Sequence, residues 1–213
     1  MKKRIISFVM AILVLSSVST SVFASELYDE DAGAYIGPVI AFDESGQRQN
    51  DQGVSAPSRV AKAKYNKGDL ICKWSTGSTF MPDTVRYYAY FYSSQDINQK
   101  FVKYLTSSWA KAQSYTWSKA NTTSFTISGQ VNKEFAKKIV ATMGLSLSHS
   151  TTYTVAITIP ADASRFSKLG FASDYTRVSF DYKVENIMGG GETTTRESID
   201  CPEDETYLIV YYQ

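Results

Sequence analysis

Apolar side chains fall on every second residue through long stretches of this 213-residue chain, and that period fixes the class of fold before anything else. In "DYTRVSFDYKVEN", Val178, Phe180, Tyr182 and Val184 point one way; Arg177, Ser179, Asp181, Lys183 and Glu185 point the other. Period two with β-branched and aromatic residues is the signature of a strand. One wet side implies an antiparallel sheet. "TVRYYAYFYS" repeats the pattern, with Val85, Tyr87, Ala89 and Phe91 on one face and Arg86, Tyr88, Tyr90 and Tyr92 on the other. Both faces are partly aromatic, so this strand is expected inside a sheet covered on both sides. "DLICKW" and the C-terminal "TYLIVYYQ" add short strands, and "ADASRFSKLGFASD" reads as a connection with a short strand or turn near Leu169 to Ala172. The expected architecture is mainly β, an elongated antiparallel sandwich or twisted sheet with one or two short helices.

Two segments depart from the alternation. Ile97, Phe101, Leu105 and Trp109 recur every four residues after Ser94, a possible cap, which predicts a short helix or irregular segment before a strand at Tyr115 and Trp117. In "NKEFAKKIVATMG", Phe135, Ala136, Ile139, Val140 and Met143 follow the 3-4 repeat of an amphipathic helix. Asn132 is placed to cap it, Glu134 suits its first turn and Gly144 can end it.

The ends of the chain bound its location. Lys2, Lys3 and Arg4 precede an apolar run from Ile5 to Leu15 and a small-residue exit closing on Val22-Phe23-Ala24. That order describes a secretory signal peptide over residues 1–24, cleaved near Ala24, and so a secreted, extracellular protein. Losing three basic residues and no acidic one takes the formal net charge from +1 to −2. A nucleic-acid binder usually carries a clear basic excess, so nucleic acid is not an expected partner. Residues 25–66, rich in Gly, Pro, Asn, Gln and mixed charge, read as a poorly ordered N-terminal arm with a short strand near Tyr35 to Phe42, a propeptide or partner-binding arm being the sharper alternative. Residues 67–213 form the β-rich domain. In an exported chain the only two cysteines, Cys72 and Cys201, are expected to form a disulfide tying the first strand of that domain to the last.

Catalytic chemistry leaves no motif. GxSxG, HExxH, a Walker loop and a GxGxxG after a strand are all missing from the sequence. His149, the one histidine, makes a Ser-His-Asp arrangement conceivable, but a structural role fits its Ser/Thr-rich surroundings better. Glu203-Asp204-Glu205 offers carboxylates to a hard cation such as Ca²⁺, yet without EF-hand spacing it reads as a solvated acidic loop. The expectation is a protein that is not an enzyme, with no catalytic residue, no metal and no cofactor.

The segment from 121 to 160, "NTTSFTISGQVNKEFAKKIVATMGLSLSHSTTYTVAITIP", is the most informative. Phe125, Ile127, Val131, Leu145, Leu147, Tyr153, Val155, Ile157 and Ile159 are all odd-numbered, whereas Thr126, Ser128, Ser146, Ser148, Thr152 and Thr158 occupy even positions. An aliphatic face backed by a hydroxyl face suits a barrel stave, lipid outside and water inside. It equally suits a soluble sheet, core beneath and solvent above. A buried helix at Asn132 to Gly144 favours the second; a loosely held one keeps the first open. Ser/Thr-rich alternating strands flanking an amphipathic insert in a secreted two-cysteine β-protein resemble the aerolysin and epsilon-toxin type of β-pore-forming proteins, over roughly residues 115 to 185. The resemblance implies an elongated β-fold, homo-oligomerisation on a target surface, and a hairpin that converts into a barrel. Residues 122–159 are then the candidate inserting segment and the nine odd-numbered side chains its membrane-facing set. The alternative is a secreted cell-wall or surface-associated binding or structural protein, whose Tyr/Trp surface takes cell-surface glycan or a protein partner.

Overall fold

The computed structural model describes residues 27–42, 65–76, 84–153 and 155–213; the expected signal peptide and its expected cleavage point lie outside them. Along the chain come β1 (Tyr28–Asp29), β2 (Ala34–Phe42), β3 (Leu70–Ser75), β4 (Val85–Tyr104), β5 (Ser114–Trp117), β6 (Asn121–Ser124), β7 (Thr126–Ser128), α1 (Lys133–Met143), β8 (Ser148–Thr151), β9 (Ile157–Pro160), β10 (Ser167–Asn186) and β11 (Gly191–Tyr212). The protein is mainly β and antiparallel, as the alternation requires.

Three strands of 20, 20 and 22 residues, β4, β10 and β11, make the body. The main sheet runs β1-β2-β11-β10-β4-β3, with β7 on the same edge of β11 as β2, and two short pairs, β5-β9 and β6-β8, lie apart from it. One end is closed by the β10–β11 turn after Asn186. At the other, Tyr35, Tyr212 and Ser167 stand level across three strands. We call these the turn end and the insert end.

The core changes face halfway along the body. Leu169 and Phe171 of β10 join Leu208, Val210 and Tyr212 in one buried cluster with Ile40, Phe42, Tyr153 and Ile159. Farther along β10 the even-numbered Val178, Phe180 and Tyr182 join Ile199, Cys201, Ala89 and Phe91 in another. Side chains two apart share a face, so the first cluster lies on one side of the insert-end half and the second on the opposite side of the turn-end half. A third cluster, including Ala172, Ile209 and Tyr211, backs the insert-end half and is covered by Ala32 and Ala34.

Several expectations are corrected here. Residues 94–104 belong to β4, not to a helix. Register shifts opposite Ser173/Tyr175 and Phe171/Ala172 break the strand's phase, so the four-residue spacing of Ile97, Phe101 and Leu105 only mimics a helical stripe. Leu169 to Ala172 is not a separate short strand; it opens the 20-residue β10. The tyrosine-rich strand is central, between β10 and β3, but Tyr88, Tyr90 and Tyr92 are half-exposed and Arg86 is exposed. The short strand expected near Tyr35 to Phe42, by contrast, is present as β2, which pairs with β11 from Tyr35–Tyr212 to Phe42–Thr206 and buries Ile40 and Phe42.

The expected disulfide is absent: Cys72 and Cys201 are free. Cys72 on β3 and Cys201 on β11 are separated by β4 and β10, roughly 14 Å at about 4.8 Å per strand. They also differ in level, since Cys72 aligns through Ala89 with Tyr182 while Cys201 pairs with Thr176. A bridge needs Cα atoms within about 7 Å.

Candidate functional site

The chain between β4 and β10 carries every side chain of the candidate membrane-facing set, and its two arms pair with each other. The Leu105 N–H donates to the Leu169 carbonyl and the Ala161 N–H to the Gln113 carbonyl, both at 2.8 Å. β5 then pairs with β9 from Ser114–Pro160 to Trp117–Ile157. From the Tyr104–Gly170 pair to the Tyr115–Ile159 pair, each arm advances by eleven residues. The β5–β9 register therefore matches that of β4–β10, although at the bend between them Ala110 bridges Ser167, three residues out of that register. From Trp117–Ile157 to Asn121–Thr151 one arm advances four and the other six, a slip of two that leaves the sharing of faces intact. β6–β8 and a hydrogen bond from the Phe125 N–H to the Leu147 carbonyl (2.9 Å) carry the pairing on toward α1, which is the tip. The insert is one bent hairpin, in register with the strands that bear it.

The hairpin wraps the sheet. β5–β9 lies over the insert-end cluster, into which Tyr153 and Ile159 are buried and against which Ile157 packs half-buried. Beyond it comes a layer of buried hydroxyls, where Thr151 Oγ1 sits 2.9 Å from Thr206 Oγ1 and Thr123 and Ser173 are also buried. β7 runs along the edge of β11 for only three residue pairs, Ser198–Ser128 to Asp200–Thr126. The chain then turns at Gly129 (φ 91°), where the Glu197 carboxylate fills the place a Cβ would need. α1 lands on the opposite face. Its Phe135, Ala136, Ile139 and Val140 are buried on the turn-end cluster, with Val131 buried and Phe125, Ile127 and Leu145 half-buried beside them.

Seven of the nine odd-numbered side chains thus face the body, while Leu147 and Val155 are exposed at 39% and 65%. The helix ends follow the sequence. Asn132 Oδ1 accepts from the Glu134 and Phe135 N–H groups, and Gly144 adopts φ 72° with its N–H turned back to the Ala141 carbonyl. Trp74 and Tyr87 lie at ring distances of 6.3 and 6.1 Å from Phe135. Among the described residues no helix is long and apolar enough to cross a membrane, a statement that does not bear on strands.

The acidic run is not a solvated loop. Glu203, Asp204 and Glu205 form a bulge in β11 opposite the single residue Asp174 of β10. Asp174 accepts from the Gln99 N–H (2.7 Å) and the Tyr207 hydroxyl (2.9 Å). Gln99, at φ 52°, is the one non-glycine of positive φ among the described residues. Burial, with Glu205 adding like charge, pushes Asp174 up to about 6 against the pull of those two donors. Burial raises Glu203 as well, opposed by its hydrogen bond from the Thr176 hydroxyl. Among the described residues no three His, Cys, Asp or Glu side chains converge to hold a metal ion.

His149 joins the insert to this bulge. Its Nδ1 is 3.5 Å from Asp204 Oδ1 and its Nε2 is 3.3 Å from Thr151 Oγ1. Carboxylate, imidazole and hydroxyl in line are the parts of an acyl-transfer triad. Thr151, however, is 1% exposed and engages Thr206, so no substrate carbonyl reaches it in this state. Sequence reasoning missed the wrap and the matching register, because both are relations between distant residues; the shared odd parity of the two arms was their one visible trace. Neither a protein-family model, nor a curated protein, nor a solved structure matches the chain.

Proposed function

We propose that the protein is a secreted, non-enzymatic, membrane-active protein of the β-pore-forming kind, which oligomerises on a lipid surface and inserts residues 122–159 as a hairpin. The observation that supports this reading is that β5–β9 returns to the β4–β10 register beyond the bend and that β6–β8 keeps its parity. Straightening the hairpin breaks the Ala110–Ser167 bridge at the bend and keeps the pairing parity of β5–β9 and β6–β8. Phe125, Ile127, Val131, Leu145, Leu147, Tyr153, Val155, Ile157 and Ile159 then turn outward to lipid, and the even-numbered Ser and Thr turn to the lumen. Lys133, Lys137 and Lys138 fall at the tip, where they emerge on the far side.

The packing of α1 sets the cost. Exposing Phe135, Ile139 and Val140 forfeits about 1.5–3 kcal/mol each, before any chain entropy regained. A bilayer and neighbouring copies must supply comparable burial. The same burial favours a second reading, a secreted surface-binding protein that never unbends and meets glycan or a protein partner through the half-exposed row of Tyr88, Tyr90 and Tyr92.

Dye release from liposomes, with an SDS-resistant oligomer, separates the two. Ile157→Asp is expected to leave the body folded and to abolish leakage. No release at micromolar protein across several lipid mixtures would remove the pore reading.

A further inference from the structure

We propose that the insert end is a membrane-docking rim and that the surface it recognises is an anionic bilayer. The inference rests on the pore-forming reading for its purpose, but not for its evidence. Both bends of the hairpin lie at this end, over residues 106–113 and 161–166, where Ala110 bridges Ser167. A straightened hairpin leaves the body here and nowhere else.

The bends carry a particular chemistry. Lys168 Nζ lies 4.8 Å above the Tyr104 ring and 5.1 Å above Trp109, Lys111 Nζ 5.3 Å above Phe166, and the Arg165 guanidinium 4.4 Å above Tyr212. Phe166 is 49% exposed, and on the neighbouring strands Tyr28 and Tyr35 are 50% and 38% exposed. Rings with one apolar body and one polar tip prefer the headgroup region, as do aromatic belts of membrane proteins. Residues 103–113 and 161–168 contain four cations, Lys103, Lys111, Arg165 and Lys168, against one carboxylate. That carboxylate, Asp162, is held by the Ser164 N–H and hydroxyl. Beside them β1 adds Asp29, which accepts from the Tyr211 hydroxyl, so the cations of these segments and β1 outnumber their carboxylates by four to two. Cations seated on aromatic rings hold the charge at the level where lipid phosphates lie. Each basic side chain near an anionic surface strengthens binding roughly fivefold.

Flotation with phosphatidylcholine vesicles and with vesicles containing phosphatidylglycerol tests this directly. Binding is expected to rise steeply with the anionic lipid, to weaken with salt, and to resist millimolar inorganic phosphate, which separates a surface from a free anion. The combined variant Lys111→Glu, Arg165→Glu, Lys168→Glu is expected to lose about a hundredfold in vesicle affinity with its far-UV circular dichroism unchanged. Reversing Lys67, Lys73 and Arg86, toward the turn end, is expected to leave affinity within a few-fold. Equal binding to both lipids, equal loss from both variants, or full displacement by phosphate would overturn the docking rim. Vesicles that are bound but never leak would overturn the pore instead and leave the rim standing. If the rim variant fails to fold, Lys111→Gln with Arg165→Gln gives the same readout at smaller amplitude.

Discussion

The body and the insert are two stretches of one antiparallel ladder, held by different means. In the body, β10 pairs with β4 over most of its length and with β11 from Ser167–Tyr212 to Asn186–Gly191. In the insert the longest strands are four residues, its backbone hold on the main sheet beyond the base at Leu105 and Ala110 is the three-pair β7, and the middle of its contact is hydroxyl on hydroxyl. On the proposed reading, this unequal anchorage lets the insert part from the body while the body keeps its own hydrogen bonds. A long ladder resists bending through its backbone; a short one is held only by what lies beneath it.

The sharpest way to break the comparison is to delete equal side chains from each region. Phe180 and Phe135 are both 0% exposed, and Phe→Ala at such sites costs about 3–5 kcal/mol. Phe180→Ala is expected to lower the thermal midpoint of the whole molecule. Phe135→Ala is expected to leave the body's midpoint nearly unchanged and to speed amide exchange in residues 121–160, read by hydrogen exchange with mass spectrometry. Equal global destabilisation by both would unite the two regions into one cooperative unit.

Smaller effects sharpen it. Asn132→Ala removes the cap of α1 at a cost of about 1 kcal/mol, and the exchange of α1 amides should rise severalfold with no change in β10. The pH response belongs to the body. Asp174 holds its proton more tightly folded, at about 6, than at its ordinary value of 3.8. Its contribution is complete below about pH 4 and is lost as pH rises through about 6. Thermal midpoints are expected to fall by a few degrees over that window, and Asp174→Asn should flatten the slope. Asp200 runs the opposite way: burial pushes it up, but bonds from Arg177 and Lys100 win and hold it low. Its contribution is present above the ordinary carboxylate value and is lost as pH falls below that. Smallest of all, Glu134→Ala severs an exposed pair with Lys137 at 2.8 Å and should leave the midpoint unchanged, as exposed ion pairs generally do.

Local chemistry was legible in the sequence and long-range relation was not. Asn132, Glu134, Gly144 and the apolar repeat between them marked α1 correctly, because caps and periodicity act within a turn or two. The strand at Val178 to Val184 declared itself for the same reason. The short strand or turn expected near Leu169 to Ala172 and the strand at Val178 to Val184 are one strand, whose core crosses to the other face between Phe171 and Val178. The helix expected after Ser94 failed because bulges insert residues into β4, and nothing local in "SSQDINQKF" announces the partner strand that creates them. The disulfide failed because counting cysteines says nothing of the two strands lying between them.

The unpaired thiols give the molecule a native reporter of its own opening. Cys201 lies in the cluster beneath α1, where burial and then Asp200 push its thiol up to about 12. Cys72 packs against the same cluster at about 11, burial outweighing the nearby Lys138 of the helix. Reactivity belongs to the thiolate, so at pH 8 both are expected to react slowly while α1 is seated, the buried Cys201 more slowly than the half-buried Cys72. On the proposed reading, departure of the helix lets water reach both sulfurs, and alkylation is expected to accelerate with the first movement of the tip, without an added probe.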